Sequence, residues 1–404
     1  MFRIFGKIIC LDRAKSAHIL KYMDSFIYYN PTRLIFGTKT VEKLGDYIPK
    51  KARVLMLFGG GSAKKNGAYK AAKKMLGKRK SFEFWGIEPN PEYETCMKAV
   101  ALIKKEKLDF ILAVGGGSVI DAAKFIAAAR FAAKPWDILA KGAKIERALP
   151  IATILTLSAT GSESNVNSVI SRRKFTMKLA FASEKVYPVA SVLDPDFQTS
   201  LPERQTVNGI VDSFIHVMEQ YVTYPVDSPL QDGFAETIMK TLVSEAPKIL
   251  KRPDDISARK NIMLASTLAL NGLIGCGVPQ DWATHAIGHE LTALYGIDHA
   301  QSLAIVAPKL LEVEIANKAD KIAQMGRNVF GVSEKNKRAA AKAAIAAMKK
   351  FFAQVGIKTE LSEYGIDKKP AAKAAAQNLV RIGHLPLGER GDIDAAKVEK
   401  ILLK

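Results

Sequence analysis

The sequence of 404 residues is poor in cysteine and has no long apolar run. Its three cysteines, Cys10, Cys96 and Cys276, have no paired spacing. This excludes a disulfide framework and a thiolate zinc site and fits a reducing compartment, so we expect a cytoplasmic protein. No stretch approaches the roughly 18 apolar residues that a membrane helix needs, and no membrane partner is therefore expected.

Acidic residues are outnumbered, with 40 Asp and Glu against 60 Lys and Arg and a formal net charge of +20. Such a charge would suit a nucleic-acid binder, and steep salt-dependent retention on DNA would be its signature. However, the lysines are spread from end to end and form no basic stripe with interleaved aromatic residues. We interpret them as a solvated surface and expect no nucleic-acid partner.

The first 22 residues lack the periodic pattern that follows them. Their short apolar patch is broken by Lys7 and has no small-residue cleavage site, which is untypical of a signal peptide. A second methionine, Met23, stands just before the ordered pattern. We therefore predict that residues 1–22 are an N-terminal extension.

The rest of the chain divides by the period of its apolar residues. From residue 26 to about 192, strand-like apolar runs such as "RVLMLFG" alternate with helical stretches such as "KKNGAYKAAKKMLG". This alternation predicts crossover units on a parallel sheet. Beyond "LDPDFQTSLPERQ", apolar residues recur at three and four positions, as on helices. We predict a Rossmann-like α/β domain over 23–197 and an all-α domain over 198–404.

Two glycine turns, "FGGGS" at 58–62 and "VGGGS" at 114–118, each follow a predicted strand and precede a predicted helix. Such turns let backbone N–H groups approach a phosphate closely. Neither has the spacing G-x-G-x-x-G, and one turn alone is about as often a packing feature as a phosphate site. Two turns at neighbouring strands favour a dinucleotide.

The first turn lacks an acidic side chain that could accept a ribose 2′-hydroxyl. Ser62 is instead followed by Lys64 and Lys65. A hydroxyl and two cations suit a 2′-phosphate, so we expect NADP rather than NAD, with NAD still open.

Histidine is scarce but clustered, since four of the six histidines lie between residues 216 and 299. Asp212 and His216 are four apart, as are His285 and His289, so each pair shares a helix face. On one straight helix His285 and His299 would be roughly 21 Å apart.

Gly296 offers a turn that lets the chain fold back after the helix, so that His299 can approach His285. A carboxylate and three imidazoles suit Fe2+ or Zn2+. His289, one turn beyond His285, would point into the cleft, where it could carry a proton.

Together these motifs resemble the iron-containing (group III) alcohol dehydrogenases, in particular the butanol dehydrogenase and NADPH-dependent aldehyde reductase branch. The resemblance spans about residues 26–404 and rests on "NPTRLIFG", "GGGSAKKNG", "EPNP", "AVGGGSVIDAAKFIA", "LTLSATGSESN", "DSFIHVMEQY" and "HAIGHELTALYGIDHAQSLAI". It implies a dinucleotide-binding α/β domain, a helical domain, and a metal in the cleft between them.

The resemblance also assigns residues. The implied metal ligands are Asp212, His216, His285 and His299, with His289 as the cleft histidine. The implied cofactor contacts are Gly60, Gly61 and Ser62 near the adenosine ribose, Gly116, Gly117 and Ser118 at the pyrophosphate, and Asn90, Asp121, Thr156, Ser158 and Lys178. Iron is expected, although zinc stays open, and we expect a homodimer.

We therefore predict a reversible NADP(H)-linked interconversion of an aldehyde and a primary alcohol, with the carbonyl polarised by the metal. One alternative is a zinc-type NAD-dependent polyol dehydrogenase of the same superfamily. Another is a metal-dependent hydrolase, but a hydrolase has no use for two dinucleotide-binding turns.

Overall fold

The computed structural model describes residues 22–404. Cys10 and all but the last residue of the predicted extension 1–22 therefore lie outside the described residues. At the start of the described chain, the Asp24 N–H donates to the Gly277 carbonyl at 2.9 Å, so the segment from Met23 contacts the second half of the chain.

The first half is built on a parallel sheet with strand order β1-β8-β5-β4-β2-β3. Its strands are β1 (Arg33–Phe36), β2 (Arg53–Phe58), β3 (Lys80–Phe84), β4 (Phe110–Gly115), β5 (Ile151–Leu155) and β8 (Ala190–Leu193). The central strands β2, β4 and β5 are almost wholly buried, as expected for apolar strands that have helices on both faces.

The helices of this half are α1 (Ser62–Lys65), α2 (Ala68–Leu76), α3 (Tyr93–Glu106), α4 (Gly117–Ala129) and α5 (Asp137–Ala140). The predicted single helix after the first glycine turn is divided, because α1 ends before Asn66 and Gly67 has a φ of +85°. Beyond β5 the chain forms a hairpin, the antiparallel pair β6 (Asn167–Arg172) and β7 (Met177–Ala182).

The second half is helical. Its helices are α6 (Glu203–Tyr221), α7 (Pro229–Lys251), α8 (Ile256–Ala269), α9 (Ala283–Tyr295), α10 (His299–Val313), α11 (Ile315–Phe330), α12 (Lys337–Gln354), α13 (Lys368–Arg381) and α14 (Ala395–Leu403). Apolar side chains from these helices form one continuous core. Over residues 22–404, no helix is long and apolar enough to cross a membrane. The predicted order, an α/β domain and then a mostly helical one, is confirmed, whereas the residue bounds of the two domains stay a prediction.

Candidate metal and cofactor site

Helix α6 carries three buried ionisable side chains on one face. Asp212, His216 and Glu219 are spaced by four and three residues, so their side chains lie one above another. The apolar side chains on the remaining faces of α6 belong to the helical core, which holds the helix in place.

Helices α9 and α10 bring two further histidines to the same place. Helix α9 ends at Tyr295, the next residue Gly296 reverses the chain with a φ of +69°, and His299 is the first residue of α10. The two helices approach closely at Gly288, where an added Cβ would lie 2.8 Å from Leu303 Cδ2. As a result, the ring centroids of His285 and His299 are 5.3 Å apart.

Asp212 lies at the centre of this group. Its Oδ1 is 3.7 Å from His216 Nδ1, 3.8 Å from His285 Nε2 and 3.7 Å from His299 Nε2. These distances are too long for hydrogen bonds. They are close to the separation of about 3.4 Å expected between two ligands that each lie about 2.1 Å from one tetrahedral ion.

One ligand atom from each of Asp212, His285 and His299 lies within 4.8 Å of the other two. His216 does not belong to this tightest set but lies next to it. Its ring is stacked on that of His285, with the two centroids 4.6 Å apart. Four predicted ligands are therefore brought together, three of them more closely than the fourth.

Burial and hydrogen bonding support a cation at this point. Asp212 Oδ1, His216 Nδ1 and His285 Nε2 are buried and have no hydrogen-bond partner among residues 22–404. Unsatisfied buried polar atoms are costly, and a cation would satisfy all three together. The residues present therefore fit a metal ion of the iron or zinc type.

The protonation of His216 and His299 is also suited to a cation. Burial lowers the pKa of His216 to about 4 and that of His299 well below its ordinary value, which leaves both rings neutral and able to act as ligands. Burial alone would raise the pKa of Asp212, but the neighbouring His216 and His285 hold it below its ordinary value. Burial alone would lower the pKa of His285, but the carboxylates of Glu219 and Asp212 raise it to about 9, so a metal would displace a proton from this ring.

His289 lies beside the cluster without belonging to it. Its ring is 5.1 Å from that of His299 and 6.2 Å from that of His285. Burial, with a contribution from the charge on Lys178, lowers its pKa well below the ordinary value. The ring is therefore neutral at neutral pH.

Glu219 is the residue of this site that our reading of the sequence missed. Its Oε2 forms a very short contact with His285 Nδ1, the ring nitrogen that faces away from Asp212. Its place seven residues after Asp212 and three after His216 was the available signal, since that spacing continues the same helix face.

The two glycine turns lie at the carboxyl ends of the adjacent parallel strands β2 and β4, as predicted. At the first turn, an added Cβ on Gly60 or Gly61 would meet nothing within 4 Å, and Gly61 has a φ of +109°. Ser62 is exposed, and the Lys64 ammonium lies 4.5 Å from the centroid of the Trp85 ring. This turn is open and has a hydroxyl and a cation beside it.

The second turn is tightly packed. An added Cβ on Gly116 would lie 3.1 Å from Leu157 Cβ, and one on Gly117 only 2.4 Å from Thr160 Oγ1. Ser118 Oγ accepts a hydrogen bond from the Asn90 N–H at 3.3 Å, which joins two of the predicted cofactor contacts.

The segment after β5 joins this second turn to the metal-ligand cluster. Thr156 donates its N–H to the Gly115 carbonyl at 3.0 Å. Farther along, Ser158 is buried and hydrogen-bonded to Gln198, and the Ala159 carbonyl accepts the Ser213 hydroxyl of helix α6 at 2.9 Å. Ser213 is next to Asp212, so one short segment connects the two parts of the site.

Two predicted cofactor contacts have different environments. Both carboxylate oxygens of Asp121 are used within the protein, because Ser162 Oγ donates to Oδ1 at 2.6 Å and the Val169 N–H donates to Oδ2 at 3.0 Å. Lys178 on β7 is only 7% exposed. Burial lowers its pKa to about 8, against the opposing influence of Asp212 and Asp121. Asp121 thus supports the hairpin, whereas Lys178 places a cation near the cluster.

Fold and site together define a two-domain protein with a pair of glycine turns on a parallel sheet and an Asp/His cluster in the helical half. The family model for "iron-containing alcohol dehydrogenase" matches residues 31–195, and the model for the C-terminal part of the same family matches 206–403. The chain belongs to the iron-containing alcohol dehydrogenase family. The prediction of an oxidoreductase of this family is confirmed.

Individual relatives match over nearly their full length. An NADPH-dependent aldehyde reductase, YqhD of Escherichia coli, is 49% identical over 375 residues, which are 92% of this chain and 97% of the relative. An NADP-dependent alcohol dehydrogenase of Entamoeba histolytica is 41% identical over 92% of this chain and 96% of its own. The crystal structure of a butanol dehydrogenase from Thermotoga maritima has 34% identity and a TM-score of 0.90, covering 95% of this chain and 99% of that one.

Proposed function

We propose that this protein is a metal-dependent, NADPH-linked aldehyde reductase that also oxidises the corresponding alcohol. The observation that carries the proposal is the cluster of buried and unpartnered ligand atoms on Asp212, His216 and His285, joined by one segment to the second glycine turn. A hydrolase would explain the cluster but not the two turns. Relatives described as an NADPH-dependent aldehyde reductase and an NADP-dependent alcohol dehydrogenase support the proposal.

The metal would be held by Asp212, His216, His285 and His299. When bound, it would supply a Lewis acid that polarises the substrate carbonyl. Fe2+ is proposed as the native ion because the family is iron-containing, and Zn2+ fits the same ligands. Burial keeps water away from these side chains and strengthens their electrostatic interactions.

His289 is proposed to hold the proton that the substrate oxygen takes up. Its ring is near His299 but outside the tightest group of ligand atoms. Because burial keeps this imidazole neutral, it would pass on a proton from solvent rather than store a charge.

The glycine turns are proposed to bind NADPH. Gly60, Gly61 and Ser62 would receive the adenosine ribose and its 2′-phosphate. The backbone N–H groups at Gly116 and Gly117 would bind the pyrophosphate at the start of α4. Further contacts are proposed at Ser118, Asn90, Thr156, Ser158 and Lys178. Asp121 would act indirectly, by supporting the hairpin that carries Lys178.

We also propose a homodimer. In the part of the chain that the structure describes, strand β1 is an edge of the sheet, and apolar side chains along it and before it are exposed, among them Ile27 at 58% and Phe36 at 39%. An unpaired apolar edge favours pairing with a second copy of the chain. Light scattering should give twice the chain mass for the wild type and the single chain mass for Ile27→Lys. The control Leu230→Lys, at an exposed apolar position on α7, should remain dimeric.

A cytoplasmic location is proposed as well. Cys96 is buried and forms no disulfide among residues 22–404, which suits a reducing compartment. Cell fractionation with an antibody to the protein tests this, and recovery with the periplasmic or secreted fraction would contradict it.

The central test is anaerobic reconstitution of the metal-free protein with Fe2+ or Zn2+, followed by absorbance at the nicotinamide band with a panel of aldehydes. We expect aldehyde-dependent oxidation of NADPH that requires the metal. Equal rates in metal-free and reloaded protein would contradict the proposal, as would ester or amide hydrolysis without nicotinamide consumption.

A further inference from the structure

Glu219 is a buried carboxylate whose two oxygens have different partners. Oε1 accepts the backbone N–H of Thr284 at 2.6 Å and that of His285 at 3.4 Å. Oε2 contacts the His285 ring at Nδ1. Glu219 is only 2% exposed, and the Asp281 N–H also donates to its backbone carbonyl at 2.9 Å, so helix α9 begins directly against it.

The contact with the ring determines which nitrogen of His285 carries the proton. A carboxylate only accepts hydrogen bonds, so Nδ1 must be the protonated nitrogen. In the neutral ring the lone pair is then on Nε2, which is the nitrogen that lies 3.8 Å from Asp212 Oδ1 and has no hydrogen-bond partner among residues 22–404. Only this tautomer can donate electrons to a cation beside Asp212.

We propose that Glu219 is the positioning residue of the metal site, which fixes the His285 ring in the tautomer and orientation that bind the metal. The inference rests on the proposed metal site and goes beyond it, because Glu219 itself is not a ligand. In this role the carboxylate also increases the electron-donating strength of the ring and thus the affinity for the metal.

A purely structural role is the competing explanation, since Glu219 also caps the first turn of α9. The helix N-cap residue, Trp282, makes no side-chain capping bond, so the N–H groups of Thr284 and His285 depend on Glu219. The substitution Glu219→Gln separates the two roles. A glutamine has the same shape, and its carbonyl oxygen can still accept both backbone N–H groups.

The amide introduced by Glu219→Gln would differ from the carboxylate only on the side that faces the ring. Its NH2 group donates, so the contact would require His285 Nδ1 to accept and Nε2 to carry the proton. A protonated Nε2 cannot bind a metal. Glu219→Gln should therefore leave the fold intact and weaken the site.

The experiment measures Zn2+ dissociation constants of the metal-free wild type and of Glu219→Gln by competition with a chelating dye, together with thermal unfolding of the metal-free proteins. We expect the variant to bind Zn2+ about 10- to 100-fold more weakly. The matched control is Glu163→Gln, another buried glutamate, which accepts a hydrogen bond from Thr267 and contacts no proposed ligand. Its Zn2+ affinity should equal that of the wild type.

A second measurement does not depend on the variant folding. In Zn2+-loaded wild-type protein labelled with 15N-histidine, the spectrum of His285 should show a protonated Nδ1 and a metal-bound Nε2. A protonated Nε2 or a metal-bound Nδ1 would overturn the inference, as would wild-type affinity in a folded Glu219→Gln. A wild type that binds no Zn2+ would overturn the proposed metal site as well, so the two failures are distinguishable.

Discussion

The replacement Lys64→Ala tests how the protein would select NADPH. The Lys64 ammonium lies 4.5 Å from the ring centroid of Trp85 and 5.8 Å from that of Tyr69. Trp85 is itself stacked on Phe58, the last residue of β2, with centroids 4.0 Å apart. These aromatic rings hold the cation beside the first glycine turn before any cofactor binds, which lowers the entropic cost of contacting a 2′-phosphate.

The size of the effect follows from one charge-assisted hydrogen bond. Such a bond contributes about 1.5 to 3 kcal/mol, which corresponds to roughly 12- to 160-fold in kcat/KM at 25 °C. NADH has no phosphate at this position, so its efficiency should change by less than about two-fold. The ratio of the two efficiencies should therefore fall by about one to two orders of magnitude in Lys64→Ala.

Steady-state rates with NADPH and NADH at saturating aldehyde measure this ratio. Lys65→Ala separates the two lysines of the turn: Lys65 is exposed and no aromatic ring holds it among residues 22–404, so its loss should change the ratio less than the loss of Lys64. Gly60→Asp offers an independent check, because its Cβ would meet nothing within 4 Å and the added carboxylate would repel a phosphate. An unchanged ratio in both Lys64→Ala and Gly60→Asp would refute the reasoning and favour an NAD-using enzyme.

Three further predictions concern the metal site, the pH dependence of stability and the start of the chain. His285→Ala should lose both tight metal binding and activity, whereas His289→Ala should keep its metal, as measured by elemental analysis, and lose turnover. If His289→Ala lost metal in proportion to its loss of activity, His289 would be a ligand. Burial raises the pKa of Glu290 to about 7 from 4.5, so the folded state binds this proton more strongly than the unfolded state does. The free energy of unfolding should therefore fall as the pH rises between these two values, by about 3 kcal/mol at most. In Glu290→Gln, whose amide oxygen can still accept the Asn378 amide, the melting temperature should vary less with pH between pH 5 and 7. The same pH dependence as the wild type, measured by calorimetry, would contradict this. A chain that starts at Met23 should fold and bind cofactor, since the Asp24 N–H donates a hydrogen bond to the Gly277 carbonyl and so joins the new start of the chain to the helical half. An insoluble product would show that the extension is needed.

Local chemistry explains what could be predicted from the sequence. The apolar runs of β2 and β4 allow little except buried parallel strands, and consecutive glycines after a strand favour an open turn. The spacing of Asp212 and His216 places both on one helix face, whatever surrounds the helix. Gly296 could be recognised as the end of a helix because its left-handed φ suits glycine.

The break between α1 and α2 was not predicted, because "KKNGAYKAAKKMLG" keeps a helical period through Gly67. The continuation of α10 through Pro308 was likewise decided by packing, since this buried helix tolerates a residue that usually ends one.

The sequence by itself determined which parts of the chain alternate strands with helices and which are helical, the two glycine turns and the residues proposed to bind a metal, because these depend on neighbours within a few positions. Only the tertiary structure decided that Glu219 meets His285 and that Ser213 joins α6 to the segment after β5. It also decided that both oxygens of Asp121 are used within the protein. Such contacts join residues far apart in the chain, and their geometry depends on how the helices pack, which no local pattern of residues specifies.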